Sequence, residues 1–231
     1  MTKVPGEREP VEKIYSQALS DTSINYGQPM APQIYAAMRR VIMQNKIVPG
    51  TPIYEAKFAE IIGVSRTPLR AAMQQLAKEG LVETRPQVGS IVAPIDRQKI
   101  SSAVFCRSAL ETAVVKRLAE MEDFDAKPFA RVLALQESFS ARDDYIGFFD
   151  VDEQFHSLLA QTAHVPEAWQ LVLSSKTHVD RARLQLQSAI PGRAAIAYRE
   201  HLGIMEAIEA GDSALAAERM DKHVRSALDI V

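Results

Sequence analysis

The chain has one cysteine and one tryptophan in 231 residues, and aromatic residues make up only 6%. A single Cys106 excludes an internal disulfide framework and fits a reducing cytoplasm. It falls in a helical pattern and reads as a small packed residue rather than a nucleophile. No apolar run approaches the roughly 20 residues needed to cross a bilayer, so no membrane partner is expected. The opening Met-Thr-Lys-Val-Pro-Gly-Glu-Arg-Glu-Pro has no apolar core of the signal-peptide kind. Internal repeats and low-complexity tracts are also missing. Together these absences predict a cytoplasmic globular protein.

Hydrophobic residues reach 47%, and the length allows two ordinary domains. The small net charge of −2 conceals an asymmetry. Residues 31–93 hold eight Lys/Arg against four Asp/Glu, whereas residues 94–231 hold sixteen against twenty-one. A basic module on an acidic body fits a nucleic-acid binder whose other half has a different task.

The basic stretch contains Phe58-Ala-Glu-Ile-Ile-Gly-Val-Ser-Arg-Thr-Pro-Leu-Arg-Ala-Ala-Met-Gln-Gln-Leu-Ala-Lys-Glu-Gly80. Phe58, Ile61 and Ile62 give a first helix an apolar face, and Gly63 supplies a turn. Ser65 is a ready N-cap, and Pro68 sits in the first turn of the next helix, where a missing N–H costs little. Leu69, Met73 and Leu76 recur at helical spacing until Gly80 ends the pattern. Arg66, Thr67 and Arg70 crowd the start of that second helix, where a DNA-reading helix meets base edges and phosphates. A helix over 33–46 precedes the pair, with Val48-Pro-Gly-Thr-Pro as a turn. Leu81 to Ala93 reads as two short strands around a tip at Pro86 to Gly89. The unit over 31–94 is therefore a winged helix-turn-helix, and residues 1–30 read as a loose arm in which Val11 to Leu19 has some helical character.

After Pro94 the pattern is helical throughout. Helices are expected near 96–121, 126–140, 143–163, 167–187, 194–210 and 212–229, with breaks such as His164-Val-Pro166 and Gly211-Asp212. The expected fold is mainly α: the winged module followed by an antiparallel bundle of about six helices over 95–231.

In the bundle, Asp152 and His156 are four apart and share a helix face. His201 lies eleven residues before Asp212 and His223 eleven after it. In an antiparallel hairpin, equal distances from the turn mean equal height. One carboxylate and three imidazoles form a borderline donor set for Zn, Ni or Mn. Arg107 sits among apolar neighbours and needs an anionic partner. The simple partner is Glu111, four residues on. His178-Val-Asp-Arg181 faces either the cavity or solvent, with a polar helix face the simpler reading; His164 reads as solvated and Trp169 as core.

Two resemblances sharpen these expectations. Pro49-Gly50, Ala59 to Met73, Leu76-Ala-Lys-Glu-Gly-Leu-Val and Gly89-Ser-Ile-Val resemble the GntR superfamily of bacterial transcription regulators, over residues 33–95. That resemblance implies base and phosphate contacts from Arg66 and Arg70, with Thr67 and Ser65 holding phosphates or capping the helix. Gly89, with Gln87 beside it, would let the wing enter the minor groove. Lys57 is either a phosphate contact or a solvated surface lysine. Ala56 departs from relatives that carry arginine or glutamate there. Asp152-xxx-His156, Glu200-His201 and the Ala207-Ile-Glu-Ala-Gly-Asp turn resemble the FCD ligand-binding domain of the FadR subfamily, over residues 97–230. The resemblance implies one divalent metal ion per chain on Asp152, His156, His201 and His223, and a small carboxylic acid effector gripped by Arg107, with Arg181 a further candidate. The expected protein is a homodimeric repressor on a near-palindromic double-stranded operator. The alternative is a regulator that senses the metal itself, with no organic effector. An enzyme is the weakest reading. Glu153-Gln-Phe-His156 is a lone Glu-x-x-His, a di-iron bundle needs two, and no nucleophile elbow, P-loop or dinucleotide fingerprint is present.

Overall fold

A computed structural model describes residues 10–85 and 89–228. Among them are eleven α-helices and three short strands, and the chain divides into two compact units that meet between Ile95 and Asp96. No helix among the described residues is long and apolar enough to cross a membrane.

The first unit opens with α1 (Val11–Ala18), on the segment expected to be a loose arm. This corrects the sequence reading. Tyr15 is fully buried, packs edge-on to Phe58 at 5.0 Å, donates its hydroxyl hydrogen to Pro52 O at 2.5 Å and accepts from Tyr54 N at 3.1 Å. Tertiary contacts thus stabilise an eight-residue helix too short to persist alone. α2 (Met30–Met43) buries Ile34, Met38, Val41 and Ile42. α3 (Glu55–Ile62) and α4 (Arg66–Lys78) form the helix-turn-helix, with Phe58, Leu69, Met73 and Leu76 inward. Gly63 joins them at φ 71°, a left-handed conformation that a side chain disfavours. β1 (Pro52–Ile53), β2 (Val82–Arg85) and β3 (Gly89–Val92) form an antiparallel sheet in the order β1-β3-β2. Val82 pairs with Val92 and Arg85 with Gly89, while Pro52, expected in a turn, pairs with Ile91.

The second unit is a helical bundle: α5 (Arg97–Ala119), α6 (Lys127–Ala141), α7 (Tyr145–Thr162), α8 (Pro166–Ser175), α9 (Thr177–Leu186), α10 (Arg193–Glu209) and α11 (Ser213–Arg225). α5 packs against α7, α8, α9, α10 and α11. Aspartates begin three of the helices. Asp96 accepts from Gln98 N and Lys99 N, Asp144 from Gly147 N and Asp212 from Leu215 N, satisfying N–H groups that a helix start leaves open.

One helix expected over 167–187 is two, α8 and α9. The break falls at Lys176, whose ammonium is drawn inward to Glu153 at 2.5 Å and Asp180 at 2.6 Å. No glycine or proline marks that break in the sequence. Cys106, expected to be packed, is exposed.

Candidate DNA-reading surface and metal centre

The α3–α4 pair presents its polar residues to solvent. Ser65, Arg66, Thr67 and Arg70 are all exposed at the start of α4, while Leu69 beneath them is fully buried. Ser65 holds the N-cap position in extended conformation, but its side chain makes no capping hydrogen bond. Arg70 donates through Nε to Glu55 Oε2 at 2.9 Å, a surface pair worth about 0–1 kcal/mol and easily exchanged for another partner. Lys57 is neither free nor simply solvated: it pairs with Glu12 of α1 and lies 5.7 Å from the Tyr54 ring centroid. Gly89 has φ 87°, and among the described residues nothing lies within 4 Å of where a Cβ would stand. Gln87 lies outside the described residues.

In the bundle, α7 carries Asp152 and His156, α10 carries His201 and α11 carries His223. The structure brings the four together: one ligand atom from each lies within 4.8 Å of the others, and all four residues are buried. Asp152 and His201 are fully buried, with His156 at 2% and His223 at 5% exposure. His201 Nε2 and His223 Nε2 are 3.2 Å apart, and His223 Nε2 and His156 Nε2 are 3.3 Å apart. Asp152 Oδ1 is 3.6 Å from His201 Nε2.

The opposite ring nitrogens explain this convergence. His223 Nδ1 lies 2.7 Å from Glu200 Oε2, and His201 Nδ1 lies 2.9 Å from Gln136 Oε1. Gln136 donates its Nε2 to Val151 O at 3.4 Å, so its oxygen faces the histidine. His156 Nδ1 approaches Glu111 Oε2 at 2.5 Å, an ion-pair distance rather than a well-aligned hydrogen bond. Each Nδ1 therefore stands beside an oxygen, which favours the tautomer with the hydrogen on Nδ1, though only His201 and His223 make the hydrogen bond. In a neutral imidazole this leaves Nε2 with the lone pair. Burial depresses His201 well below the usual imidazole range, and His223 beside it adds to this. Burial also lowers His223, against the opposing pull of Glu200. Burial would raise Asp152, but Arg183 and then the histidines hold it far below the usual carboxylate range. Three lone pairs and a carboxylate facing one point repel unless a cation lies between them. The donor set and its outer acceptors fit a divalent metal of the borderline class.

Around this centre the charges are dense. Arg183 Nη2 donates to Asp152 Oδ2 at 2.8 Å, and its Nε donates to the Tyr145 hydroxyl at 3.2 Å. Arg107, 1% exposed, donates through Nε to Glu111 Oε1 at 2.7 Å. Burial would raise the Glu111 carboxyl, but Arg107 and then His156 hold it well below the usual range. Among the described residues, Arg107 Nη2 has no hydrogen-bond partner. A narrow cleft between α5, α7 and α8, with room for little more than a water molecule, reaches Glu111 and His156, its wall otherwise apolar. Trp169 stacks on His156 there, with ring centroids 5.8 Å apart.

The comparisons with known proteins match both units. A model for bacterial regulatory proteins of the gntR family matches residues 30–92, and one for the FCD domain matches residues 103–226. The chain belongs to the GntR family and carries an FCD domain. It is 34% identical over 207 residues to the HTH-type transcriptional repressor RspR of Escherichia coli (strain K12), covering 89% of this chain and 90% of that one. It is 31% identical over 213 residues to an HTH-type transcriptional regulator in an unstable DNA locus of Streptomyces ambofaciens, covering 88% and 85%. Among solved structures, a GntR-type protein from Rhodococcus sp. RHA1 superposes with a TM-score of 0.70 at 22% identity, covering 86% of this chain and 95% of that one. E. coli McbR/YncC does so at 0.69 and 15%, covering 87% and 95%.

For this GntR-family chain, residue-level reading grouped the four residues that cluster and missed most of what surrounds them. Of the arginines on α9 it named Arg181, which is fully buried, yet Arg183 is the one that holds Asp152. The simpler reading of His178 to Arg181 as a solvated polar face is corrected: His178, Asp180 and Arg181 are all buried. Gln136 and Glu200 went unnoticed as partners of the histidines. The available signal was a polar residue at an inward position of α6 and an acid immediately before His201. Glu111 was legible as a partner of Arg107, but its contact with His156 was not.

Proposed function

We propose that this GntR-family regulator is a repressor whose operator binding is modulated by a small carboxylate bound in the FCD bundle beside a divalent metal. The metal, of the Zn, Ni or Mn class, is held by Asp152, His156, His201 and His223, and when bound it supplies a fixed positive charge in a dry interior. Arg107 grips the carboxylate, and Arg181 is a further candidate for the same pocket. On the DNA side, Arg66 and Arg70 read guanine edges and phosphates, Thr67 and Ser65 contact phosphates, and Gly89 with Gln87 carries the wing into the minor groove. Lys57 reaches a phosphate by giving up Glu12. The protein acts as a homodimer on a near-palindromic operator, as half-site recognition requires. Repression as the sign of regulation is taken from RspR, which is named as a repressor.

The observation that carries the effector half is the buried Arg107, whose Nη2 is unsatisfied while its Nε is held by Glu111. An orphaned guanidinium N–H in a sealed interior costs about 1–3 kcal/mol, which an entering carboxylate recovers. An effector acts on DNA binding only through a difference in affinity between two states of the protein. The near-complete burial of the four donors favours a held metal over one exchanged as a signal.

The test is a thermal-shift series of metal-loaded protein against small carboxylic acids, with Arg107→Ala alongside. Stabilisation by one acid class, lost in the variant, is expected. A shift that survives in Arg107→Ala removes Arg107 from the effector site. Toggling of operator binding by chelation and metal re-addition, with no acid present, replaces the effector model with metal sensing.

A further inference from the structure

Glu111 touches two sites at once. Its Oε1 accepts from Arg107 Nε at 2.7 Å, and its Oε2 stands 2.5 Å from His156 Nδ1. Arg107, Glu111 and His156 are all buried, at 1%, 6% and 2% exposure, so water screens neither contact. No other carboxylate takes an ion pair with Arg107 among the described residues. Arg107 therefore depends on a carboxylate that His156 Nδ1 shares, while His156 Nε2 lies 4.0 Å from Asp152 Oδ2 on its other side.

We propose that Glu111 is a positioning residue through which Arg107 governs the hold of His156 on a divalent cation; this rests on the metal reading above. The charge of Glu111 beside Nδ1 favours the tautomer with the hydrogen there and makes the opposite nitrogen, Nε2, a stronger donor to a cation. Arg107 takes part of that charge away. An anion that occupies the guanidinium releases Glu111 toward His156 and strengthens the cation site. By linkage, a cation on Nε2 polarises Nδ1–H, pulls on Glu111 and frees Arg107 for the anion. The two ligands favour each other through one side chain, beyond any direct attraction between them.

The structure also separates this route from a field acting through space. Arg107→Met removes the competing cation while leaving His156 and its ring contacts in place. Glu111→Gln keeps an oxygen for His156 Nδ1–H but loses the charge. A through-space effect of the arginine on the metal persists when Glu111 is Gln, whereas an effect carried by Glu111 vanishes.

The experiment is a double-mutant cycle in the full chain, read as zinc affinity by competition with a chromophoric chelator. Since changes to outer-shell partners alter metal affinity about 10–100-fold, Arg107→Met is expected to tighten zinc binding about tenfold and Glu111→Gln to weaken it about tenfold. In the Glu111→Gln background, Arg107→Met should change zinc affinity by less than about twofold, a coupling that only a shared partner produces. Arg107→Gln carries the same expectation and serves if the methionine variant fails to fold, as judged by melting. An equal change in both backgrounds, or none in the wild-type background, overturns the proposal and leaves the metal reading intact. Absence of zinc binding by the wild-type chain overturns both.

Discussion

Arg66 and Arg70 stand in solvent at the start of α4, whereas Asp152, His156, His201 and His223 are sealed where α7, α10 and α11 meet. The first set rests on a small apolar layer of Phe58, Leu69, Met73 and Leu76 and takes no part in it. The second set is itself part of the interior: His201 stacks on Phe155 with centroids 4.1 Å apart, and His156 stacks on Trp169. Binding and stability are thus separable in the DNA-reading unit and fused in the bundle. A ligand removed from the first leaves a surface, and one removed from the second leaves facing lone pairs in a dry core.

The largest expected effect breaks the bundle's side of this contrast. With free metal about a thousandfold above its Kd, binding stabilises the native state by about 4 kcal/mol. Chelation should therefore lower the melting temperature of the bundle by roughly 10 °C at about 2–4 °C per kcal/mol for a chain of this size. Asp152→Ala should reproduce the drop with metal present, and calorimetry with and without chelator measures both. An unchanged melting temperature on chelation would mean the histidine cluster is satisfied without a cation.

The next effect belongs to the exposed side. Each arginine that reads a guanine is worth about 1–3 kcal/mol of discrimination. Arg66→Ala and Arg70→Ala are each expected to abolish detectable operator binding in a gel-shift assay, with melting temperature unchanged within about 2 °C, since surface substitutions stay within about 0.5 kcal/mol. Wild-type affinity in both variants sinks the assignment of α4 as the reading helix.

The same contrast explains what could be read from the sequence. The helix-turn-helix is encoded locally: cap position, turn glycine and apolar spacing all fall within Phe58 to Gly80, so no distant residue is needed to find it. The convergence of Asp152, His156, His201 and His223 was legible because helix periodicity and equal spacing about Gly211-Asp212 are also nearly local. Their outer partners come from elsewhere in the chain. Gln136 on α6 reaches His201 over a separation of 65 residues, and Arg183 reaches Asp152 over 31. α1 was misread for the same reason, since Tyr15 finds Pro52 and Tyr54, 37 and 39 residues on. The break at Lys176 escaped because it carries no breaker residue.

Ser65 offers the smallest effect and the finest test of the separation. It occupies the N-cap of α4, where serine ordinarily accepts from a backbone N–H and is worth about 1 kcal/mol. Here its side chain makes no such bond, so the helix gains little from the hydroxyl. Ser65→Ala should then leave the melting temperature unmoved while weakening operator binding several-fold, since a neutral hydrogen bond to phosphate contributes about 0.5–1.5 kcal/mol. The salt dependence of binding should keep its slope, because that slope counts the charges that neutralise phosphates and a hydroxyl carries none. Titrating the variant against operator at several salt concentrations, beside a melting curve, separates the roles. Loss of stability with unchanged affinity would return Ser65 to capping, and would show that even on the exposed face one residue serves the fold before it serves the DNA.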